Sequence, residues 1–181
     1  HSKKPIHLSY VILIILAGIK MSSSDHIDEL EKLLRQYCSD ESNCSTIRTE
    51  KLQSLLTAIP AQTKLHILQR EYNPGWTALR RAASLDDTQV LSSLLVAVNQ
   101  TDRLQILLNG GGKHNPLHTA AVYNHTEAVK TILNSLTYSQ QLELMAAKDG
   151  DGETAMQCAE LAGRTESVFR EYFNKAHSHT S

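Results

Sequence analysis

Aromatic residues are scarce in this chain of 181 residues, at 5%, and it holds only 8 glycines and 4 prolines. A sandwich or barrel of many short strands needs aromatic packing residues and frequent Gly or Pro turns, so this composition favours helices packed through Leu, Ile, Val and Ala. Neither sign of charge dominates. The 18 basic and 19 acidic residues leave a formal net charge of -1, which removes any global field drawing the chain to nucleic acid or an anionic membrane surface. Three cysteines, Cys38, Cys44 and Cys158, are too few and too scattered for a disulfide framework or a four-ligand zinc site. They are expected to be reduced thiols, with a Cys38–Cys44 bridge as the alternative.

Long apolar runs are lacking too. The run at residues 10–19 ends at Lys20, short of the roughly 20 apolar residues that a membrane-spanning helix needs. After Lys3 and Lys4 it has the basic start and the length of a secretory signal, but its small-residue cleavage pattern is poor. Residues 1–20 are accordingly expected to be a targeting-like, read-through or disordered segment. Met21 followed by three serines makes a natural start; a genuine signal or anchor and an ordinary buried segment are the alternatives. The sequons at Asn43, Asn99 and Asn124 matter only if the chain enters the secretory pathway.

What the chain has is self-similarity. Thr-Glu or Thr-Gln pairs begin at Thr49, Thr88, Thr126 and Thr165, spaced 39, 38 and 39 residues apart. Behind the first three comes one apolar pattern: Leu52, Leu55, Leu56 and Ile59, then Leu91, Leu94, Leu95 and Val98, then Val129, Ile132, Leu133 and Leu136. Each set is i, i+3, i+4, i+7, one face of an α-helix. A further apolar patch follows each helix, at residues 65–68, 104–107 and 142–145, and predicts one short extra turn. Eleven residues before the later starts lie Thr77-Ala78-Leu79, Asn115-Pro116-Leu117 and Thr154-Ala155-Met156, each leading into small residues. Thr or Asn can cap a helix, Pro116 suits its first position, and small residues allow close helix approach, so these predict short inner helices. Each unit then reads as a helix pair that must stack on its neighbours to hide its apolar face.

Pro116-Leu117-His118-Thr119-Ala120-Ala121 followed by Asn124-His125-Thr126-Glu127 resembles the ankyrin repeat, and Asp149-Gly150-Asp151-Gly152-Glu153-Thr154 resembles the hairpin that opens one. The resemblance covers residues 49–173. Arg80 and Gln157 stand where the family has His, Ala78 and Ala155 where it has Pro, and the period exceeds the usual 33 or so. The fold expected is all-α: an ankyrin-like helical-repeat solenoid of stacked helix pairs. Residues 21–48 form its N-terminal capping helix and loop, with the stripe Ile27, Leu30, Leu33 and Leu34, and residues 174–181 a disordered tail. Glu160 and Glu171 suit a last unit open to water.

The apparent chemical sites give way to this reading. Gly110-Gly111-Gly112-Lys113 lacks both the spacing and the following Ser or Thr of a phosphate loop, and Thr154 stands where a calcium loop beginning at Asp149 would need Gly. His114 and His118, with His125 nearby, outline a metal set, but His118 matches the family position where imidazole resembles a turn-bracing hydrogen-bond partner. No metal or other cofactor is expected. Cys158 falls on an inner helix where a small core residue belongs, and no nucleophile elbow or dinucleotide motif is present, so no enzyme is expected either.

What the resemblance implies is a scaffold or adaptor that binds a partner protein through the concave face and hairpin tips, in the cytoplasm, without nucleic acid or membrane. A membrane-anchored or secreted repeat protein, directed by residues 1–20, is the alternative. The positions matching the family's binding edge are Trp76, Ser84, Leu85, His114, Val122, Tyr123 and Glu153, with Trp76 and Tyr123 foremost because aromatic residues dominate interface energies.

Overall fold

The computed structural model describes residues 22–39, 49–163 and 166–178, and they are predominantly helical. The segment 1–20 and most of the loop expected before residue 49 lie outside them. Helix α1 (Ser23–Ser39) turns Leu30, Leu34, Tyr37 and Cys38 inward, an apolar stripe at helical spacing. Then come α2 (Thr49–Ala58), α3 (Ala61–Gln69) and a hairpin of β1 (Glu71–Asn73) and β2 (Trp76–Thr77), followed by α4 (Ala78–Ser84), α5 (Thr88–Val96) and α6 (Gln100–Leu108). After a glycine-rich loop follow α7 (Pro116–Val122), α8 (Thr126–Asn134), α9 (Tyr138–Ala146), α10 (Ala155–Ala162) and α11 (Glu166–Ser178), the last running past the expected boundary at Phe173.

Three helices per period, rather than a pair, is a correction to the sequence expectation. The extra apolar turn is a nine-residue helix each time, in α3, α6 and α9. Each buries only two adjacent side chains, Ile67 and Leu68, Ile106 and Leu107, or Leu144 and Met145. Two neighbours cannot display a 3.6-residue period, so the pattern reads as a turn.

Local chemistry starts and stops the helices. Thr77, Asn115 and Thr154 each accept a hydrogen bond from the backbone N–H three residues on, at Arg80, His118 and Gln157. Each cap satisfies one orphan N–H and contributes about 1 kcal/mol. Between the inner helices α4, α7 and α10 and the helices after them, the chain passes through left-handed residues: Asp86 (φ 54), Asn124 (φ 60) and Gly163 (φ 73). Asp, Asn and Gly tolerate that conformation better than other residues, so one turn geometry recurs with the period.

Helices pack like upon like, one period apart. α4 lies on α7 and α7 on α10; α2, α5, α8 and α11 form a second row; α3, α6 and α9 form a third. Helix α1 closes the near side against α2, β1 and α4, and Tyr37 Oη donates to Asp87 Oδ2 at 3.1 Å. One core runs through the rows. Leu91, Leu94 and Leu95 of α5 and Val129, Ile132 and Leu133 of α8 are all fully buried, each contributing about 1.5–3 kcal/mol relative to exposure. Side chains repeat the coupling: Gln53 Nε2 donates to Ser93 Oγ and Gln100 Nε2 to Gln140 Oε1, both across 40 residues. The orphan carbonyls closing α5 and α8 are met alike, Leu95 O by Arg103 Nε and Leu133 O by Gln141 Nε2. On the far side Glu160 and Glu171 are exposed, as expected of a face left to water. No helix among the described residues is long and apolar enough to cross a membrane.

Candidate binding face and a buried polar cluster

The inner row carries the candidate residues. In α7, Leu117, Ala120 and Ala121 are fully buried while Val122 and Tyr123, at its end, are 40% and 55% exposed. The Tyr123 ring stacks on His125 at 5.9 Å, and His125 Nδ1 lies 3.0 Å from Ala83 O, so the ring stands on a braced platform rather than on a free chain. Ser84 and Leu85, one period earlier, are half-buried. Ser84 Oγ turns back to Arg81 O at 2.8 Å, and Leu85 packs against the core. The structure thus leaves Val122 and Tyr123 most available and draws Ser84 and Leu85 partly inward.

Trp76 is half-buried in the hairpin, where the Arg80 guanidinium lies over its ring at 4.5 Å. Arg80 was missed as a structural residue, although its place in the repeat set it apart. Its Nε donates to Thr119 Oγ1 at 3.2 Å, and its terminal nitrogen donates to Gly111 O at 3.0 Å and also to Gly75 O. Burial pulls this guanidinium below its ordinary pKa, with Tyr123 and Glu71 opposing. Gly110-Gly111-Gly112, set aside as a phosphate loop, is the receiving surface. Thr77 Oγ1 donates to Gly110 O at 3.2 Å, and Gly112 N donates to Glu71 Oε1 at 3.3 Å. A Cβ on Gly110 would stand 2.5 Å from Asn115 Cα, and Gly111 and Gly112 are left-handed, so loop glycines are required by close packing.

His114 and Glu153 belong to a different environment. His114 Nε2 lies 3.1 Å from Asp149 Oδ2, and its ring stacks on that of His118 with centroids 6.1 Å apart. The Asp149 side chain is 1% exposed. Its Oδ1 accepts from the backbone N–H groups of Asp151 and Glu153 at 2.9 and 3.0 Å. Burial alone would raise this carboxyl, but the Glu153 N–H and the neighbouring His118, His114 and Lys113 hold it below the usual carboxylate range. His118 is fully buried, with Nε2 3.0 Å from Glu153 O and no hydrogen-bond partner on Nδ1. Burial pushes this imidazole below its usual range, against the opposing pull of the Glu153 carbonyl and Asp149. Cys158 Sγ completes the group, 3.8 Å from both Asp149 Oδ2 and Glu153 Oε2. Burial, then the two carboxylates, push the thiol up to about 11.

One ligand atom each from His118, Asp149 and Cys158 lies within 4.8 Å of the others, a set able to hold a metal ion. Sequence reasoning grouped His114 and His118 with His125, which instead faces Ala83 and Tyr123. It missed Asp149 and Cys158 because they arrive from the next period. No family model matches the chain, and no curated protein matches it.

Proposed function

We propose that the chain is an ankyrin-like helical-repeat solenoid whose role is to bind a partner protein, as a scaffold or adaptor, through the exposed edge of its inner helices and the neighbouring loops. The like-on-like rows and the side-chain bonds spanning 40 residues support the stacking half of this reading. The observation that carries the binding half is the contrast within α7: three apolar residues are fully buried, while the next two present apolar and aromatic surface that the fold does not use. Tyr123 is held by His125 without being covered, which limits the rotamer entropy lost when a partner seats on it. The role is binding rather than catalysis. The cytoplasm is its place, consistent with the free, buried thiols Cys38 and Cys158.

Photo-crosslinkers at position 123 and, as a control, at Ser92 on an outer helix separate this from other uses of the molecule. Discrete protein adducts at 123 and none at 92 are the expected outcome. Tyr123→Ala should abolish capture of the adducted protein by more than tenfold, about 1.4 kcal/mol or more at an aromatic anchor, with the melting transition unmoved. Adducts confined to 92, or loss of folding in Tyr123→Ala, would count against it.

A further inference from the structure

We propose that His118, Asp149 and Cys158 form a binding site for a thiophilic divalent transition metal, Zn2+ fitting the set best. These residues come from two consecutive periods: His118 from α7, Asp149 and Cys158 from the following loop and α10. The spacings suit tetrahedral coordination. Metal–ligand bonds of about 2.0–2.3 Å imply ligand-to-ligand edges of roughly 3.3–3.8 Å. Asp149 Oδ2 to Cys158 Sγ is 3.8 Å, and a His118 ring nitrogen lies within 4.8 Å of both. Contraction of a few tenths of an ångström to about one closes the set.

Three independent features point to a cation. A fully buried imidazole has one nitrogen without a partner, a costly arrangement in a packed interior. Two carboxylates, Asp149 and Glu153, compete for the single S–H of Cys158, and one dication would satisfy Asp149, the sulfur and the imidazole together. Asp149 is already aimed, since its other oxygen is held by two backbone N–H groups. A mixed N, O and S set favours Zn2+ over Mg2+ or Ca2+, which take all-oxygen shells. Three protein ligands leave a fourth position open, and because they come from two units the ion would tie one unit to the next.

Co2+ titration of the reduced full chain tests this directly, because a Co2+–thiolate bond gives a near-ultraviolet charge-transfer band that imidazole and carboxylate do not. One Co2+ per chain should bind with that band and be displaced by Zn2+. The band should vanish in Cys158→Ala, and affinity should fall by more than about 100-fold in Asp149→Asn, beyond the usual loss of an outer-shell partner. Cys44→Ser, His177→Ala and His179→Ala should leave both unchanged. Absence of the band in the native chain, or its survival in Cys158→Ala, overturns the proposal. Should Cys158→Ala fail to fold, alkylation of the native chain decides: Zn2+ must slow modification of Cys158 by tenfold or more, and no protection overturns the site.

Discussion

Arg80 is the sharpest test of how consecutive units are held, because one side chain reaches three partners in two of them. It donates to Gly75 O in its own hairpin, to Gly111 O and Thr119 Oγ1 in the next unit, and covers the Trp76 ring. Hydrogen bonds to a charged donor contribute about 1.5–3 kcal/mol each when sheltered, and the half-buried position of Arg80 cuts that to about 1. A partly exposed cation–π contact adds roughly 0.5–1 kcal/mol. Since the contacts share one side chain and are not additive, Arg80→Ala should destabilise by about 2–4 kcal/mol. Arg80→Lys should recover less than half of it. A lysine keeps the charge, but its single nitrogen cannot serve the carbonyls and Thr119 from the separate corners of a planar fork. Urea denaturation followed by circular dichroism gives the difference directly, the midpoint shifting at constant slope. A loss under about 0.5 kcal/mol for Arg80→Ala, or full recovery in Arg80→Lys, would refute the argument that a directional guanidinium joins the units.

Leu94 and Val96 lie two residues apart on α5 with opposite environments, fully buried against 68% exposed. Leu94→Ala should cost about 3–4 kcal/mol through lost burial and a residual cavity, while Val96→Ala should stay within about 0.5 kcal/mol, and similar losses in the two would mean that α5 is turned otherwise. The buried His118 also makes stability depend on pH. Its folded pKa lies below the unfolded value of about 6.5, so its contribution is present above that pH and is lost as pH falls through the folded pKa. Thermal melts in chelator should fall between pH 7.5 and 5.5, and the drop should shrink in His118→Gln; Asp149, held low, adds its own loss only in more acid solution.

The strongest parts of the fold were legible because they rest on local periodicity. Leu91, Leu94, Leu95 and Val98 repeat the spacing of Leu52, Leu55, Leu56 and Ile59, and both sets are buried. Thr77, Asn115 and Thr154 cap the helices they precede. The third helix of each unit was under-read for a physical reason: with two buried residues against seven on its remaining surface, α6 carries no amphipathic stripe. One signal was available and unused. Asp86, Asn124 and Gly163 stand at period spacing with side chains that tolerate left-handed backbone, and a turn set by that conformation fixes how each inner helix doubles back.

The candidate site was legible only where it lies within one unit. Val122 and Tyr123 follow an alanine pair, so their exposure could be argued from helix phase alone, and both are exposed. His114 and Glu153 could not be judged that way. Their surroundings depend on which residues one period away come to face them, and stacking brings Asp149 to His114 across 35 residues while Cys158 approaches from α10. A repeat pattern predicts that equivalent helices touch, because burying the shared apolar face requires it. It does not predict which polar side chains meet at the seam. Those are the positions where the units differ from one another, as Arg80, His118 and Gln157 do at one place in the repeat. Arg80 reaches the next unit through the Gly111 carbonyl and the Thr119 hydroxyl, whereas His118 reaches it through the Glu153 carbonyl, with a carboxylate and a thiol close by. Equivalent helices supply the adhesion; the substitutions at that one position decide what chemistry each seam holds.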